Sequence, residues 1–239
     1  MTMNARRTWV PVWGVVAALL LCLGGPAAKA QDSGSKLDVT AMYSYLDHSI
    51  GCGNEFDGCF FGDPGLQGFK IAGVVNLSRH VGVECNMAYH AGTHNLFAES
   101  EPSDGFSESE RQRDNVTTYL CGPKITEPIG NFELFSHFLA GGMHVSTLDV
   151  FSETEGEDPI DGEASFKGTI FGMEVGGGVD WIHNHWGVRL LEVDYVHGSG
   201  TTSGRCTIDC GSGGEALTQI QDAHDLQIAM GVTYRFGKR

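Results

Sequence analysis

The chain has 239 residues, 34 of them glycine, and a formal net charge of −15. That length suits one or two domains or a single large all-β domain. So acidic a chain is a poor ligand for nucleic acid, and no nucleic-acid partner is expected.

Residues 1–30 differ from the rest. Arg6 and Arg7 precede the apolar run "VPVWGVVAALLLCL", and small residues follow, with Ala28 and Ala30 in an A-x-A arrangement. This is the pattern of a secretory signal peptide. Pro11 and the shortness of the run argue against a spanning helix. Lipidation at Cys22 is disfavoured by Leu21 before it, and twin-arginine export from Arg6-Arg7 finds little support in the rest of the segment. Cleavage after residue 30 would remove Arg6, Arg7 and Lys29 but no acid, moving the charge from −15 to −18. The remaining 31–239 read as one domain. No later stretch reaches 18 consecutive apolar residues.

Eight strand-like segments follow: 36–46, 67–78, 81–91, 115–125, 131–144, 166–182, 186–198 and 225–236. Each alternates apolar and polar residues, the period-two mark of a strand with two unlike faces. The last segment shows it best: Leu226, Ile228, Met230, Val232, Tyr234 and Phe236 on one face, with Gln227, Ala229, Gly231, Thr233 and Arg235 on the other. In "RLLEVDYV", Leu191, Val193 and Tyr195 oppose Glu192 and Asp194. Arg189 falls on the apolar phase near a turn, which calls for snorkelling or a bulge. In "NFELFSHFLAGG" the phases conflict, because Phe135 and Leu139 share theirs with Glu133 and His137.

The connections alternate in length. Long ones follow the first, third, fifth and seventh segments; "SRHVG", "TEPIGN" and "HNHW" are tight. Four long loops on one rim, and both termini on the other, is the plan of a closed up-and-down barrel. A soluble barrel with its apolar phase inward would show the same alternation. Three features favour the inverted arrangement. Aromatic residues gather at strand ends (Tyr43, Tyr45, Tyr89, Tyr195, Trp181, Trp186, Phe236). The polar phase mixes charges with Gly, Ala, Ser and Thr, which suits a narrow interior. Strands of 10–12 residues match a tilted membrane crossing. Leu226, Ile228, Met230, Val232 and Phe236 are therefore expected to face lipid. Lys36, Asp38, Lys70, Glu84, Lys124, Glu133, His137, Glu174, Asp180, Glu192, Asp194 and Arg235 are expected inside. Such charges either line a channel or proton path, or pair with one another and plug it; the cost of unpaired burial favours the plug.

The exported compartment permits disulfides. Cys52 and Cys59 lie close in one Gly-rich segment, and Cys206 and Cys210 in another; each pair is a candidate loop staple, with free thiols as the alternative. If the third and fourth strands form a hairpin around 92–114, Cys85 falls opposite Cys121 on the apolar phase. A cross-strand bond, an opposed thiol pair and two small hydrophobes facing lipid all fit there.

The strings "NVTTYLCGPKI", "LFSHFLAGGMHVS", "GMEVGGGVDWIHNHWGVRLLEVDYV" and "GVTYRFG" resemble the small outer-membrane β-barrel proteins of Gram-negative bacteria, the OmpA/OmpX-like eight-stranded barrels. The resemblance covers about 36–236. It implies an all-β, eight-stranded antiparallel transmembrane barrel in the outer membrane, in contact with lipid and lipopolysaccharide. It also implies assembly by the insertion machinery that reads the final strand, although "GKR" follows Phe236 where the family ends in an aromatic. Roles in that family are diverse, and a fold does not fix one. The expected role is structural or surface-interacting, with a monomeric barrel, no enzyme activity, no cofactor and no metal. The alternatives are a lipid A-modifying enzyme, with His144 and Ser146 as the pair to test, or a barrel binding or passing a small hydrophobic molecule. The acidic run "ETEGEDPIDGE" reads as a solvated loop, with a divalent cation site as the sharper reading. "HNHW" sets His183 and His185 two apart, a spacing met both in wet turns and in metal sites.

Overall fold

The computed structural model describes residues 36–47, 65–101, 106–155, 158–206 and 217–237. Side chains of 94–110, 151–161 and 206–222 are outside the description. The expected signal peptide over 1–30, Cys52, Cys59 and Cys210 also lie outside the described residues, as does the side chain of Cys206.

Eight strands follow one another: β1 Leu37–Asp47, β2 Leu66–Asn76, β3 Val81–Glu101, β4 Phe106–Ile129, β5 Phe132–Glu155, β6 Asp158–His183, β7 Trp186–Cys206 and β8 Leu217–Phe236. Each pairs antiparallel with the next, and β1 pairs with β8 from Leu37↔Phe236 to Asp47↔Leu226, closing the barrel. Closure is what leaves no sheet edge open, the condition for placing strands in lipid. Two tight turns use a left-handed residue, Gly130 at φ 65° and Asn184 at φ 56°; glycine and asparagine are the residues that reach this region at least cost.

One expectation fails. The segments 92–114, 145–165 and 199–224, read as long loops, are mostly continuations of strands. β3 and β4 stay paired out to Glu101↔Phe106, β5 and β6 to Glu155↔Asp158, and β7 and β8 to Gly204↔Leu217. Residues 153–155 and 158–163 of the acidic run accordingly belong to the paired outer ends of β5 and β6. The reason is physical: period two marks a strand only where one face is dry, and these polar outer halves carry no such contrast. The wall is therefore uneven. Eleven-residue β1 and β2, at the usual rise and barrel tilt, span about 28 Å, close to the apolar band of a bilayer barrel. The 26-residue β6 reaches about 65 Å on the same arithmetic.

The two faces of the wall are unlike. On β8, Leu226, Ile228, Met230, Val232 and Phe236 are 45%, 37%, 53%, 48% and 47% exposed, while the alternate Gln227, Ala229 and Thr233 are buried. Val39, Tyr43, Phe69, Ile71, Val83, Met87, Tyr119, Phe138, Phe171, Val175 and Val193 continue the apolar outer face around the barrel. Lys70, Glu84, Glu174, Glu192 and Asp194 are fully buried inside. Lys36, expected inside, is instead exposed, since it lies one residue before β1, at the rim of the barrel.

Candidate functional site

The interior is the densest assembly of charged groups in the described residues, and each strand supplies its part through the inward phase. Lys70 of β2 stands at the centre. Its Nζ donates to Glu174 Oε1 at 2.8 Å, Glu192 Oε1 at 2.6 Å and Asp194 Oδ2 at 2.8 Å. Asn86 Nδ2 donates to the same Glu174 oxygen at 2.9 Å. His137 lies between acids, with Nε2 2.9 Å from Asp194 Oδ1 and Nδ1 3.4 Å from Glu84 Oε1. Lys124 Nζ is 3.1 Å from Glu84 Oε2. Nearer the turns, Arg235 pairs through both Nη atoms with the Glu133 carboxylate, and Asn76 Nδ2 donates to Asp38 Oδ2 at 3.0 Å.

Arg189 completes this network, and the sequence left its side of the wall open. The β7–β8 register slips between Arg189 and Glu192, and the β6–β7 register between Val179 and Asp180. The extra residue lets Leu190 and Leu191 both point outward while Arg189 and Glu192 both point inward. Of the two readings of Arg189, the bulge holds and snorkelling does not. The guanidinium forks onto Asp180, with Nε to Oδ1 at 2.8 Å and Nη2 to Oδ2 at 3.0 Å, and its Nη1 donates to Glu192. Such a planar bidentate pairing is the geometry arginine offers and lysine does not. The visible signal was "RLLE": two adjacent apolar residues between two charges, where strict alternation allows one.

The conflict in β5 resolves without a bulge. Phe135, Leu139 and His137 all face inward. Phe135 is a platform between two cations, with Lys124 Nζ 4.0 Å and Arg189 Cζ 4.2 Å from its ring centre. The attraction of a cation for the ring face accounts for an aromatic among charges. Gly176, opposite His137 in register, clears the space for the ionic cluster: a Cβ there would lie 2.1 Å from Asp194 Oδ1 and 2.4 Å from Val193 O.

His137, Glu174, Glu192 and Asp194 hold ligand-type atoms within 4.8 Å of one another, a grouping of metal-site dimensions. The Lys70 ammonium bonds to three of these four residues and supplies a positive charge there from the chain itself. On the long-strand side of the charges the interior turns apolar. Leu46, Leu66, Val116, Met143, Val145, Ile170 and Val196 form one buried cluster, beside the charges and small residues that the alternation set inside. The barrel thus has a charged layer near the turns and, beyond it, a layer in which the apolar cluster sits among buried polar residues, among them His90, Asp114, Thr118, Asp225 and Gln227.

The other candidates are scattered. His144 and Ser146 sit on the outward phase of β5; His144 Nδ1 is 3.1 Å from Thr169 Oγ1, and Ser146 is flanked in register by Asn115 and Lys167. Neither neighbour is the acid a hydrolytic triad requires. His183 stacks on Trp181 and His185 on Tyr234, so "HNHW" turns its two rings to different aromatic partners. Cys85 and Cys121 are register partners and form a disulfide, with Cα atoms 4.1 Å apart.

Aromatic side chains rim the apolar outer band. Trp181, Trp186 and Phe236 lie exposed on the turn side, and Tyr43, Tyr89 and Tyr195 on the other. Apolar residues turned out all around a closed barrel, charges sealed inside and aromatic rims above and below have one solvent in which they are stable, a bilayer. The chain is a membrane-spanning β-barrel.

No protein-family model matches the barrel, and no curated protein matches it. Among solved structures it is similar to the attachment invasion locus protein Ail of Yersinia pestis, at 13% identity and TM-score 0.39, covering 86% of this chain and 100% of that one. It is similar to the outer membrane protein OprG of Pseudomonas aeruginosa at 12% identity and TM-score 0.49, covering 85% and 97%. It is also similar to the outer membrane protease OmpT of Escherichia coli at 9% identity and TM-score 0.46, covering 87% and 99%.

Proposed function

We propose that this barrel resides in the bacterial outer membrane, exported through residues 1–30, and serves a structural or surface-interaction role in the cell envelope as a monomer. The observation that supports the reading is the inversion of the wall: an apolar face turned outward runs around the barrel, and the charges of the inward phase pair with one another in an ionic network. Eight strands leave room for side chains and little more, so this interior is a plug that stiffens the barrel. The lipid-facing residues are Leu226, Ile228, Met230, Val232 and Phe236; the interior charges that hold the wall together are Lys70, Lys124, Glu174, Asp180, Glu192, Asp194 and Arg235. Beyond the bilayer the long β3–β8 strands present a polar, acidic surface to lipopolysaccharide and its divalent ions. Assembly falls to the insertion machinery, acting on β8.

The barrel works without catalysis on this reading. The pair proposed for a lipid A-modifying enzyme, His144 and Ser146, is accompanied by Thr169, Asn115 and Lys167 rather than by an acid. A second reading, capture of a small hydrophobic molecule, draws support from the apolar cluster around Met143 and Ile170 inside the outer half. Saturable binding of a fluorescent fatty acid by the folded barrel, lost in I170D, is the result that would favour it.

The proposal is tested by gel mobility of the membrane fraction. A compact band that shifts on boiling is expected from a folded spanning barrel. A chain that stays dissolved without detergent and runs alike before and after boiling would overturn it.

A further inference from the structure

On the outer wall, one step beyond the apolar band, three strands carry metal-ligand residues in a single row. His224 of β8 is the register partner of His197 of β7, and His197 is the register partner of Met173 of β6. All three are on the outward phase of their strands. The His197 and His224 rings are 4.7 Å apart centre to centre.

What distinguishes this pair from two chance histidines is how the far side of each ring is held. His197 Nδ1 lies 3.0 Å from Ala223 O. A carbonyl only accepts, so Nδ1 is the nitrogen that carries the proton, and Nε2 is the lone-pair nitrogen of the neutral ring. His224 Nδ1 is hydrogen-bonded with the Tyr195 hydroxyl. In the matching tautomer Nδ1–H donates to the phenol oxygen, and Nε2 again bears the lone pair. An imidazole that gives its distal N–H to a carbonyl or another oxygen, fixing ring and tautomer, is the usual outer shell of a metal-bound histidine. The rings of the two residues are thus oriented by protein groups other than each other.

We propose that His197 and His224 form a transition-metal site on the outer surface of the barrel, with the Met173 thioether as third ligand and copper as the ion it suits best. Imidazole binds the later divalent ions, copper above zinc, and a thioether adds affinity for the soft cuprous ion. Tyr195 is a positioning residue, acting through the His224 ring. This site goes beyond the envelope role above and does not require it. Its place beside the Tyr195–Leu226 step sets the ion at the boundary where the apolar wall meets the polar outer half.

The test uses the untagged barrel refolded in detergent micelles, its fold checked by boiling-sensitive mobility, and titrated with Cu²⁺ or Zn²⁺. One Cu²⁺ per chain is expected, with superhyperfine splitting from two equivalent nitrogens in its paramagnetic resonance spectrum. H197A and H224A should each weaken binding by tenfold or more, and Y195F by roughly tenfold, the usual loss on removing an outer-shell partner. M173L should lower affinity for Cu⁺, measured by chelator competition, while leaving Zn²⁺ unchanged. H183A/H185A, which alters the turn on the opposite rim, should change nothing. If an alanine variant fails to refold, the asparagine variants H197N and H224N replace it. The absence of stoichiometric Cu²⁺ binding, or binding and spectrum unaltered in folded H197A/H224A, would overturn the site. An M173L variant with wild-type Cu⁺ affinity would overturn the thioether ligand.

Discussion

Lys70 shows what a single side chain contributes in this interior. It bridges three carboxylates from β6 and β7 at 2.6–2.8 Å, and none of the four residues touches water. Taking one partner out of a buried pair leaves an uncompensated charge, a loss of about 3–5 kcal/mol. Lys70→Met is therefore expected to lower barrel stability by at least that amount in urea titrations read by the boiling-sensitive band. A midpoint unchanged from the parent would mean the acids are neutralised without Lys70. Gly176→Ala acts by sterics in the same place. The added carbon would overlap Asp194 Oδ1 and Val193 O, and overpacking of this kind costs about 1–3 kcal/mol. A variant as stable as the parent would show that Asp194 has another position open to it. The residue scale is also where the sequence was hardest to read. Phase alone set Lys70, Glu174, Glu192 and Asp194 on one face, but nothing in it brought them to one point. Arg189 needed a bulge, and Phe135 needed cations from β4 and β7; neither a bulge nor a cross-strand stack is written in a period of two.

At the scale of elements, the alternation of β8 and the placing of Cys85 opposite Cys121 in the β3–β4 hairpin were legible because each rests on local rules: a period of two, and the register of one hairpin. Cys85 and Cys121 illustrate the second. The bond closes a segment of sequence separation 36 and fixes β3 against β4 on the outer wall. Loss of a disulfide closing a loop of this size costs typically 2–4 kcal/mol. C85S/C121S is expected to fold with its urea midpoint lowered accordingly, and non-reduced digests of the parent should contain a peptide joining the two cysteines. Free thiols at both positions, detected by alkylation of the purified protein, would contradict the pairing. The outer halves of β3–β8 were not legible, because their sequences are polar in both phases and show no periodicity to detect. Their length emerges only from pairing with one another.

For the whole molecule, the balance of two layers decides the behaviour. The charged layer fills the turn-side half, and the apolar cluster of Leu46, Leu66, Val116, Met143, Val145, Ile170 and Val196 packs with buried polar side chains in the half beyond it. A barrel filled this way should show no steady ion conductance in planar bilayers. Discrete long-lived openings would show that the interior does not remain packed. The overall architecture, eight strands wound up and down with the termini together, followed from the count of alternating segments and the short turns between them. The apolar layer inside did not, since its members come from six strands and share no sequence pattern. The central claim is that the apolar wall lies in lipid, and the two tryptophans of the barrel, Trp181 and Trp186, are placed to test it, both outward and exposed on the turn-side rim. The chain from residue 31 onward, reconstituted in vesicles of lipids brominated at defined depths, should lose tryptophan fluorescence, most strongly to bromines nearest the headgroups. Emission that no brominated lipid quenches, and that a water-soluble quencher removes completely, would contradict the account.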